Sequence, residues 1–368
     1  MGEICVTNPG DSVRFGPVLD ITGARCCAGG SVYPGIRGEQ PCSTVMHILD
    51  NVAVAMVADL PNVQEGFVET TQEAAPYTPF AGTYNLVVSF IVGKGVDKEK
   101  ADASIRTFQL AVAEMLGSLG LDRQPARTER FAWPLEPAPS LPKVALVYFV
   151  QSQGAMRRTF VRGKEADALA PCRENPLDIL AGIVVSGNYV LCCNKVCTWI
   201  HNEHPLVREL FARHGKTLHF SGVLMACERN DLEAKQKVAV ELRDLAMQLG
   251  VDGVIINQEG GANADMDLML ACKELESAGI AAVLLANEFA GTDGRTPSLS
   301  YTTPEARWIV STGNNEAEVQ LPMVERFVGT TALAGLHDDG RAAVRLPLTR
   351  LYASTNQLGK HTLSCIQR

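Results

Sequence analysis

The chain has 368 residues, of which 46% are apolar and 20% charged, with a formal net charge of −8. No apolar run approaches the roughly 20 residues of a membrane helix. The lack of a dense basic stretch argues against nucleic-acid and anionic-membrane partners. The first ten residues show no signal-peptide pattern and the eleven cysteines are irregularly spaced. We therefore expect a cytoplasmic protein with reduced cysteines rather than a disulfide scaffold.

The first part of the chain is predicted to be rich in β-strands. Glycine and proline separate short apolar runs such as 52–57 and 86–92, a pattern typical of strands joined by turns. A helix is predicted over 97–119 because Gly120 is well placed to end it. Residues 122–142 are rich in proline and lack apolar periodicity, and we interpret them as a linker.

From residue 143 onward, apolar runs alternate with helical segments, including predicted helices over 231–249 and 264–278. Continuous apolar strands between helices indicate a mainly parallel sheet flanked by helices, so the predicted fold class is α/β. The predicted organisation is a β-rich N-terminal domain (1–121), the linker (122–142), an α/β domain carrying the site (143–335) and a C-terminal extension (336–368). The predicted strands of the sheet are 144–150, 183–185, 220–224, 253–256, 281–285 and 308–310.

Small, amide and acidic residues follow five of these strands. Ligands of open α/β sheets bind outside the carboxyl ends of the strands, so these residues predict a cleft. Its turns carry acids but no arginine or lysine, which favours a small amine or ammonium compound over a phosphate. We assign Glu259 and Glu288 to face the cation, and we interpret Asp265 and Asp267 as acids favoured near a helix N-terminus. The predicted amide donors to a substrate carboxylate are Asn188, Asn257 and Asn314.

Cys193, Cys197, His201 and His204 are separated by four, four and three residues. A continuous helix would place them along one face, and thiolate and imidazole are the usual zinc ligands. A metalloenzyme built on these residues is therefore one alternative. Free cysteine also packs as a small hydrophobic residue, and a thiol facing the cleft can act as a nucleophile. Cys193 is our candidate thiol, and the sequence leaves these interpretations open.

Ten ungapped motifs together span most of the chain. In this order they resemble the proprotein subunit of component B of glycine/sarcosine/betaine reductase, a family related to the D-proline reductase proprotein. The motifs occupy 8–14, 77–80, 182–188, 193–205, 210–216, 249–256, 259–260, 267–269, 288–291 and 313–315.

The resemblance implies reductive cleavage of a carbon–nitrogen bond. In that family a companion subunit bearing selenocysteine or cysteine attacks the α-carbon of the substrate, and the amine leaves. The family's proprotein also cuts itself at an Asn–Cys bond and converts the cysteine into a pyruvoyl group. Here Asn188 is followed by Tyr189. We therefore expect one uncut chain with no pyruvoyl cofactor.

The resemblance also implies a role within a complex. We expect a small amino acid, amine or betaine-like substrate, a thiol or selenol partner subunit, and an oligomer that buries the apolar region between Val52 and Ile91. A reaction diverted to carbon–sulfur bond formation is compatible with the same motifs. A non-catalytic subunit that keeps the fold only for assembly is the other alternative.

Overall fold

The computed structural model of the chain describes residues 2–42, 45–60, 66–151, 159–187, 191–330, 333, 336, 339–359 and, for the backbone only, 364–367. The strands are β1 Ile4–Thr7, β2 Val13–Gly16, β3 Val18–Cys27, β4 Met46–Ala58, β5 Val68–Glu69, β6 Tyr84–Phe90, β7 Lys143–Val150, β8 Phe160–Val161, β9 Lys164–Glu165, β10 Cys172–Glu174, β11 Val184–Val185, β12 His219–Cys227, β13 Gly253–Asn257, β14 Ala281–Glu288, β15 Trp308–Asn314, β16 Glu318–Leu321, β17 Arg326–Gly329, β18 Val344–Pro347 and β19 Ser364–Gln367. The helices are α1 Lys98–Ser118, α2 Pro176–Leu180, α3 Thr198–Glu203, α4 Pro205–Arg213, α5 Leu232–Leu249 and α6 Asn263–Ser277.

The largest sheet confirms the predicted α/β class. Its seven strands run in the order β10-β12-β7-β13-β14-β15-β19, and the five central strands from β12 to β15 are parallel. The edge strands β10 and β19 are antiparallel to their neighbours. One face of the sheet packs against α5 and α6, and the other packs against α3, α4 and the N-terminal part. The continuous apolar strands are explained by burial on both faces.

The three helices predicted from periodicity are confirmed within one residue at each end. Asp97 caps α1 by accepting a hydrogen bond from the amide of Lys100 at 2.9 Å. Asp231 caps α5 in the same way, and Gly250 ends that helix in the left-handed conformation that glycine adopts readily. Side-chain capping satisfies amide groups that the first helical turn leaves unpaired. The N-terminal part is β-rich as predicted, with a sheet of order β1-β6-β4-β3 packed against α1.

One predicted strand lies elsewhere. Residues 183–185 do not join the large sheet, because β11 pairs antiparallel with β8 in a separate sheet of order β11-β8-β9. A run of three apolar residues gives no information about its pairing partner, so the sequence could not separate the two sheets. The turn after β11 consequently does not follow a strand of the large sheet.

The remaining organisation follows the sequence only in part. Residues 121–142 contain no helix or strand, yet Trp133 packs against Phe211 and Phe220. Strand β17 pairs with β2, which ties the later part of the chain to its beginning. The division of the chain into four segments stays a prediction.

Most apolar side chains between 52 and 91 are already buried within the chain, so they provide little apolar area for the predicted oligomer.

The structure differs from the expectation of reduced cysteines at one pair. Cys27 and Cys42 form a disulfide, which closes a turn of 15 residues. The spacing of the cysteines does not predict this disulfide. Cys27 and Cys42 are brought together by the path of the turn between them, which the sequence pattern does not define. The eight other described cysteines outside the C-terminal strand are free, and seven of these are buried. Among the residues that the structure describes, no helix is long and apolar enough to cross a membrane.

Candidate functional site

The carboxyl ends of the parallel strands bring buried polar side chains together at one edge of the large sheet. Gln151 follows β7, Glu228 follows β12 and Glu259 lies just beyond β13. Asn287 lies near the end of β14, and Asn315 follows β15. All five residues are buried. This is the edge at which open α/β sheets bind ligands, as the sequence predicts.

Glu259 is hydrogen-bonded to residues that follow two neighbouring strands. Its Oε2 accepts a hydrogen bond from the backbone amide of Gln151 at 3.0 Å, and its carbonyl accepts one from the Gln151 side chain at 3.2 Å. The backbone amide of Glu259 donates to Oε1 of Glu228 at 2.8 Å. The residues after β7 and β12 therefore fix the backbone of Glu259, and the Gln151 amide holds its carboxylate. Burial raises the pKa of Glu228 well above its usual value, with Asp267 adding to the shift.

Two histidines flank Tyr148 beside Glu259. The Tyr148 hydroxyl contacts Nδ1 of His201, and Nε2 of His201 lies 3.8 Å from Oε1 of Glu259. The ring of His204 packs edge-on against Tyr148, with centroids 4.5 Å apart. Burial lowers the pKa of His201 well below its usual value and lowers the pKa of His204 to about 3. Both imidazoles are therefore neutral at neutral pH, and both Nε2 atoms have no hydrogen-bond partner among the described residues.

A buried lysine joins this group, contrary to the sequence-based expectation of a cleft without cations. Lys195 enters from the loop after the 3-10 helix Cys192–Asn194. Burial lowers the pKa of its ammonium group, whereas the carboxylates of Asp20 and Glu259 oppose that shift. Asp20 accepts hydrogen bonds from the amide of Thr198 at 3.0 Å and from its hydroxyl at 2.5 Å.

A second group consists of side-chain amides. Nδ2 of Asn287 donates to Oδ1 of Asn194 at 2.9 Å, and Oδ1 of Asn287 accepts from Nε2 of Gln357 at 2.7 Å and from Nε2 of Gln258 at 3.4 Å. The Thr355 hydroxyl lies 3.4 Å from Oδ1 of Asn194. These side chains come from four separate parts of the chain and are all buried.

Ser186, three residues before Tyr189, is held by hydrogen bonds to both its backbone amide and its backbone carbonyl. The amide of Ser186 donates to the hydroxyl of Thr198 at 2.9 Å. The guanidinium of Arg106 donates to the carbonyl of Ser186 and pairs with Asp102 at 2.9 Å. Asn188 and Tyr189 themselves lie outside the described residues. These contacts fix the backbone of Ser186.

The structure removes the basis for the predicted helical face of metal ligands. Residues 192–194 form a 3-10 helix, α3 begins only at Thr198, and Pro205 begins a new helix directly after His204. Proline at the first helical position marks a fresh start because it has no amide hydrogen to donate. Cys193 and Cys197 are therefore not on one helix with His201 and His204. Within the described ranges, no group of three or more His, Cys, Asp or Glu residues is placed to hold a metal ion.

The candidate thiol of Cys193 is fully buried. Its Sγ donates to Oδ1 of Asn194 at 3.0 Å. Burial raises the pKa of Cys193 to about 12 and raises that of the neighbouring Cys192 well above its usual value. A thiol in this environment stays protonated at neutral pH, and the thiolate is the nucleophilic form.

The other predicted site residues occupy different places along the edge. Oδ1 of Asn314 accepts from the amides of Ala290 and Glu316, each at 3.1 Å, so this side chain holds the loop after β14. Nδ2 of Asn257 donates to the carbonyl of Phe149 at 3.1 Å, toward β7. Glu288 is half-buried and accepts a hydrogen bond from Ser311 of β15. Glu259 is directed toward β7 instead, so these two carboxylates flank the middle of the site.

The two aspartates near the start of α6 have tertiary partners. Asp267 forms a buried ion pair with Lys235 of α5 and accepts from the amide of Arg229 at 3.0 Å. Asp265 accepts from the amide of Ser300 at 2.7 Å and from Nε2 of Gln258 at 3.0 Å. Both carboxylates are thus used in holding the edge together.

Sequence reasoning missed Tyr148 and Gln357. Tyr148 lies in an apolar strand, where an aromatic residue is ordinarily part of the core. Gln357 follows the rest of the site by some forty residues and lies in no helix or strand. No local pattern signals either residue, because each reaches the site through tertiary packing.

Fold and site together define an α/β protein with a candidate small-molecule site at the carboxyl edge of its parallel sheet. The family model for glycine/sarcosine/betaine reductase component B subunits matches residues 2–365. The chain belongs to this family.

Individual relatives agree with this assignment. The chain is 32% identical to "Glycine reductase complex component B subunits alpha and beta" of Peptoclostridium acidaminophilum, over 98% of the chain and 88% of the relative. It is 33% identical to "Sarcosine reductase complex component B subunit alpha" of the same organism, over 88% of the chain and 78% of the relative. It is 30% identical to "Betaine reductase complex component B subunit alpha", again from that organism, over 92% and 79%. No solved structure matches the chain.

Proposed function

We propose that this chain is the substrate-binding subunit of a reductase complex that cleaves a carbon–nitrogen bond of a small amino acid, amine or betaine-like compound. The observation that carries the proposal is the buried Glu259, whose carboxylate accepts from the Gln151 amide and whose backbone amide donates to Glu228 at the carboxyl edge of the sheet. A carboxylate in a buried site stabilises a bound cation more strongly than it does in water. Glu288 adds negative charge on the other side of the edge.

The reaction is a displacement at carbon. A thiol or selenol of a partner subunit attacks the α-carbon of the substrate, and a sulfur–carbon or selenium–carbon bond forms. The carbon–nitrogen bond breaks, its electron pair stays on nitrogen, and the amine leaves. If the reaction stops at the thioether, the same displacement becomes the diverted reaction, which forms a carbon–sulfur bond. The nucleophile belongs to the partner, since the Cys193 thiol is buried and protonated.

The pyruvoyl group of the family does not fit this chain. Self-cleavage requires a heteroatom on Cβ that attacks the preceding carbonyl and is later eliminated. Tyr189 carries an aromatic ring on Cβ, and its phenol oxygen is several bonds farther away. We therefore propose an uncut chain whose substrate is held by side chains alone.

A second candidate is a non-catalytic assembly subunit, which the missing precursor residue and the complete burial of Glu259 both favour. Amine release separates the two. The purified chain is mixed with the cysteine- or selenocysteine-bearing reductase subunit and a reducing agent, and release of ammonia or methylamine from glycine or sarcosine is measured. Release that requires this chain supports the substrate-binding role, and it should fall at least about tenfold in Glu259→Gln. Unchanged release without this chain supports the assembly role. Glu233→Gln, an exposed change in α5, is the matched control.

A cytoplasmic location of this complex stays a prediction.

A further inference from the structure

Two buried glutamines present oxygen atoms that accept no hydrogen bond from the residues that the structure describes. Oε1 of Gln258 and Oε1 of Gln357 have no donor among the described residues, although neither side chain is exposed. Buried polar atoms without partners are uncommon in folded proteins, and each one calls for a water, an ion or a ligand. These two atoms belong to the amide group at the carboxyl edge of the sheet.

The orientation of both amides is fixed by backbone. Nε2 of Gln258 and Nε2 of Gln357 both donate to the carbonyl oxygen of Gly260. A carbonyl oxygen only accepts hydrogen bonds, so the nitrogen of each glutamine must face it. Nε2 of Gln258 also meets Oδ1 of Asp265 at 3.0 Å, another acceptor. Turning either amide around would place two oxygens in contact, so the unpaired atoms are oxygens.

The two amides lie side by side, because their nitrogens share the acceptors Gly260 and Asn287. Each unpaired oxygen is bonded to the same amide carbon as the nitrogen that contacts Gly260 and Asn287. The two oxygens therefore lie close to this shared pair of acceptors, which is the common point of the two amides. In strand order the point lies between Glu259, directed toward β7, and Glu288, directed toward β15. Acceptor oxygens at an edge of the sheet that also carries the carboxylates of Glu259 and Glu288 favour a donor that carries positive charge.

We propose that Gln258 and Gln357 are specificity-determining residues that accept hydrogen bonds from N–H groups of the bound ammonium. The inference rests on the proposed function and narrows its substrate class to primary or secondary ammonium compounds. A quaternary ammonium has no N–H group, so it would leave both oxygens unpaired. Proteins recognise quaternary ammonium groups instead through aromatic faces. A site built to hydrogen-bond an N–H group rejects an analogue that lacks it.

Titration calorimetry of the full chain with glycine, sarcosine and glycine betaine tests this inference. We expect glycine and sarcosine to bind at least about tenfold more tightly than glycine betaine, equivalent to ~1.4 kcal/mol. Gln258→Met and Gln357→Met keep the approximate length of the side chain and remove the acceptor. Each should weaken glycine binding without weakening betaine binding, so that the preference for N–H groups shrinks. Gln248→Met, on the exposed face of α5, should leave all three affinities unchanged.

The results distinguish this inference from the proposed function. Equal binding of glycine and betaine by the unaltered chain overturns the role of the two glutamines, since water would then suffice as the partner of their oxygens, and leaves the substrate-binding role intact. An unchanged glycine preference in both methionine variants, with native thermal unfolding, also overturns it. Failure of all three compounds to bind the unaltered chain removes the proposed function, and this inference with it.

Discussion

Nε2 of His201 lies 3.8 Å from Oε1 of Glu259, and both side chains are buried. This distance is too long for a direct hydrogen bond. Tyr148 contacts the other ring nitrogen, and the amide of Gln151 occupies the other carboxylate oxygen. A neutral imidazole and a carboxylate therefore face each other with no direct hydrogen bond between them. Both side chains lie on the side of the sheet that α3 covers.

The stability of the fold should depend on pH through His204. Its folded pKa of about 3 lies below the unfolded value of 6.5, so below pH 6.5 the unfolded chain binds the additional proton. Stability is thus complete above pH 6.5 and is lost as pH falls toward 3, by up to about 1.4 kcal/mol per pH unit. In His204→Asn, which keeps an acceptor for the start of α4, this loss should disappear. Urea unfolding should show that the free energy of unfolding falls between pH 6.5 and pH 5 by about 2 kcal/mol less in the variant than in the unaltered chain. An equal loss in both proteins would show that His204 is not buried in neutral form.

The ion pair of Lys235 and Asp267 should be strongly coupled. Lys235→Met leaves a buried carboxylate without its cation and should lower the free energy of unfolding by about 3–5 kcal/mol. Lys235→Met combined with Asp267→Leu removes both charges and should recover much of this loss. Chemical denaturation of both single variants, Lys235→Met and Asp267→Leu, and of the double variant measures the coupling. If the double variant is the less stable by the sum of two independent losses, the pair is not coupled.

The thiol of Cys193 should resist alkylation in the native protein. A pKa of about 12 leaves roughly one thiol in ten thousand as thiolate at pH 8, and full burial also excludes the reagent. Iodoacetamide treatment followed by peptide mass spectrometry should find Cys193 unmodified in the folded chain. The same residue should be fully modified after denaturation. Rapid labelling of native Cys193 at neutral pH would restore its candidacy as a nucleophile.

Self-cleavage should be absent from the natural chain and partly restored by Tyr189→Cys. Cysteine has the Cβ heteroatom that tyrosine lacks, and Arg106 and Thr198 still hold the preceding Ser186 peptide. Intact-protein mass spectrometry should show one species for the natural chain and two additional fragments for the variant. Tyr189→Phe is the matched control and should stay whole. Two fragments from the natural chain, with a blocked C-terminal piece, would contradict the account.

The fold was largely predictable because its sheet is buried on both faces. Strands such as β7 and β13 are continuously apolar, and α5 is bounded by Asp231 and Gly250, so pattern and capping chemistry agree. The short run at 183–185 was assigned to the wrong sheet because three apolar residues fit any β-pairing. The disulfide of Cys27 with Cys42 likewise depends on the path of a turn.

The candidate site was predictable only where a residue directly follows a strand. Glu259 was found in this way, since strand ends of a parallel sheet converge. The spacing of His201 suggests a metal ligand, because the sequence carries no local signal for the interruption between the 3-10 helix, which ends at Asn194, and α3, which begins at Thr198. Lys195 and Gln357 reach the site from loops, and only tertiary packing brings them beside Glu259 and Gln258.

The most direct test of the account is calorimetric titration of glycine into the unaltered chain and into Glu259→Gln at neutral pH. The account predicts that the unaltered chain binds glycine and that Glu259→Gln binds it at least about tenfold more weakly. Glu233→Gln should bind like the unaltered chain. Glycine binding of equal strength in Glu259→Gln, with the fold intact by thermal unfolding, would contradict the assignment of this carboxylate to the substrate cation.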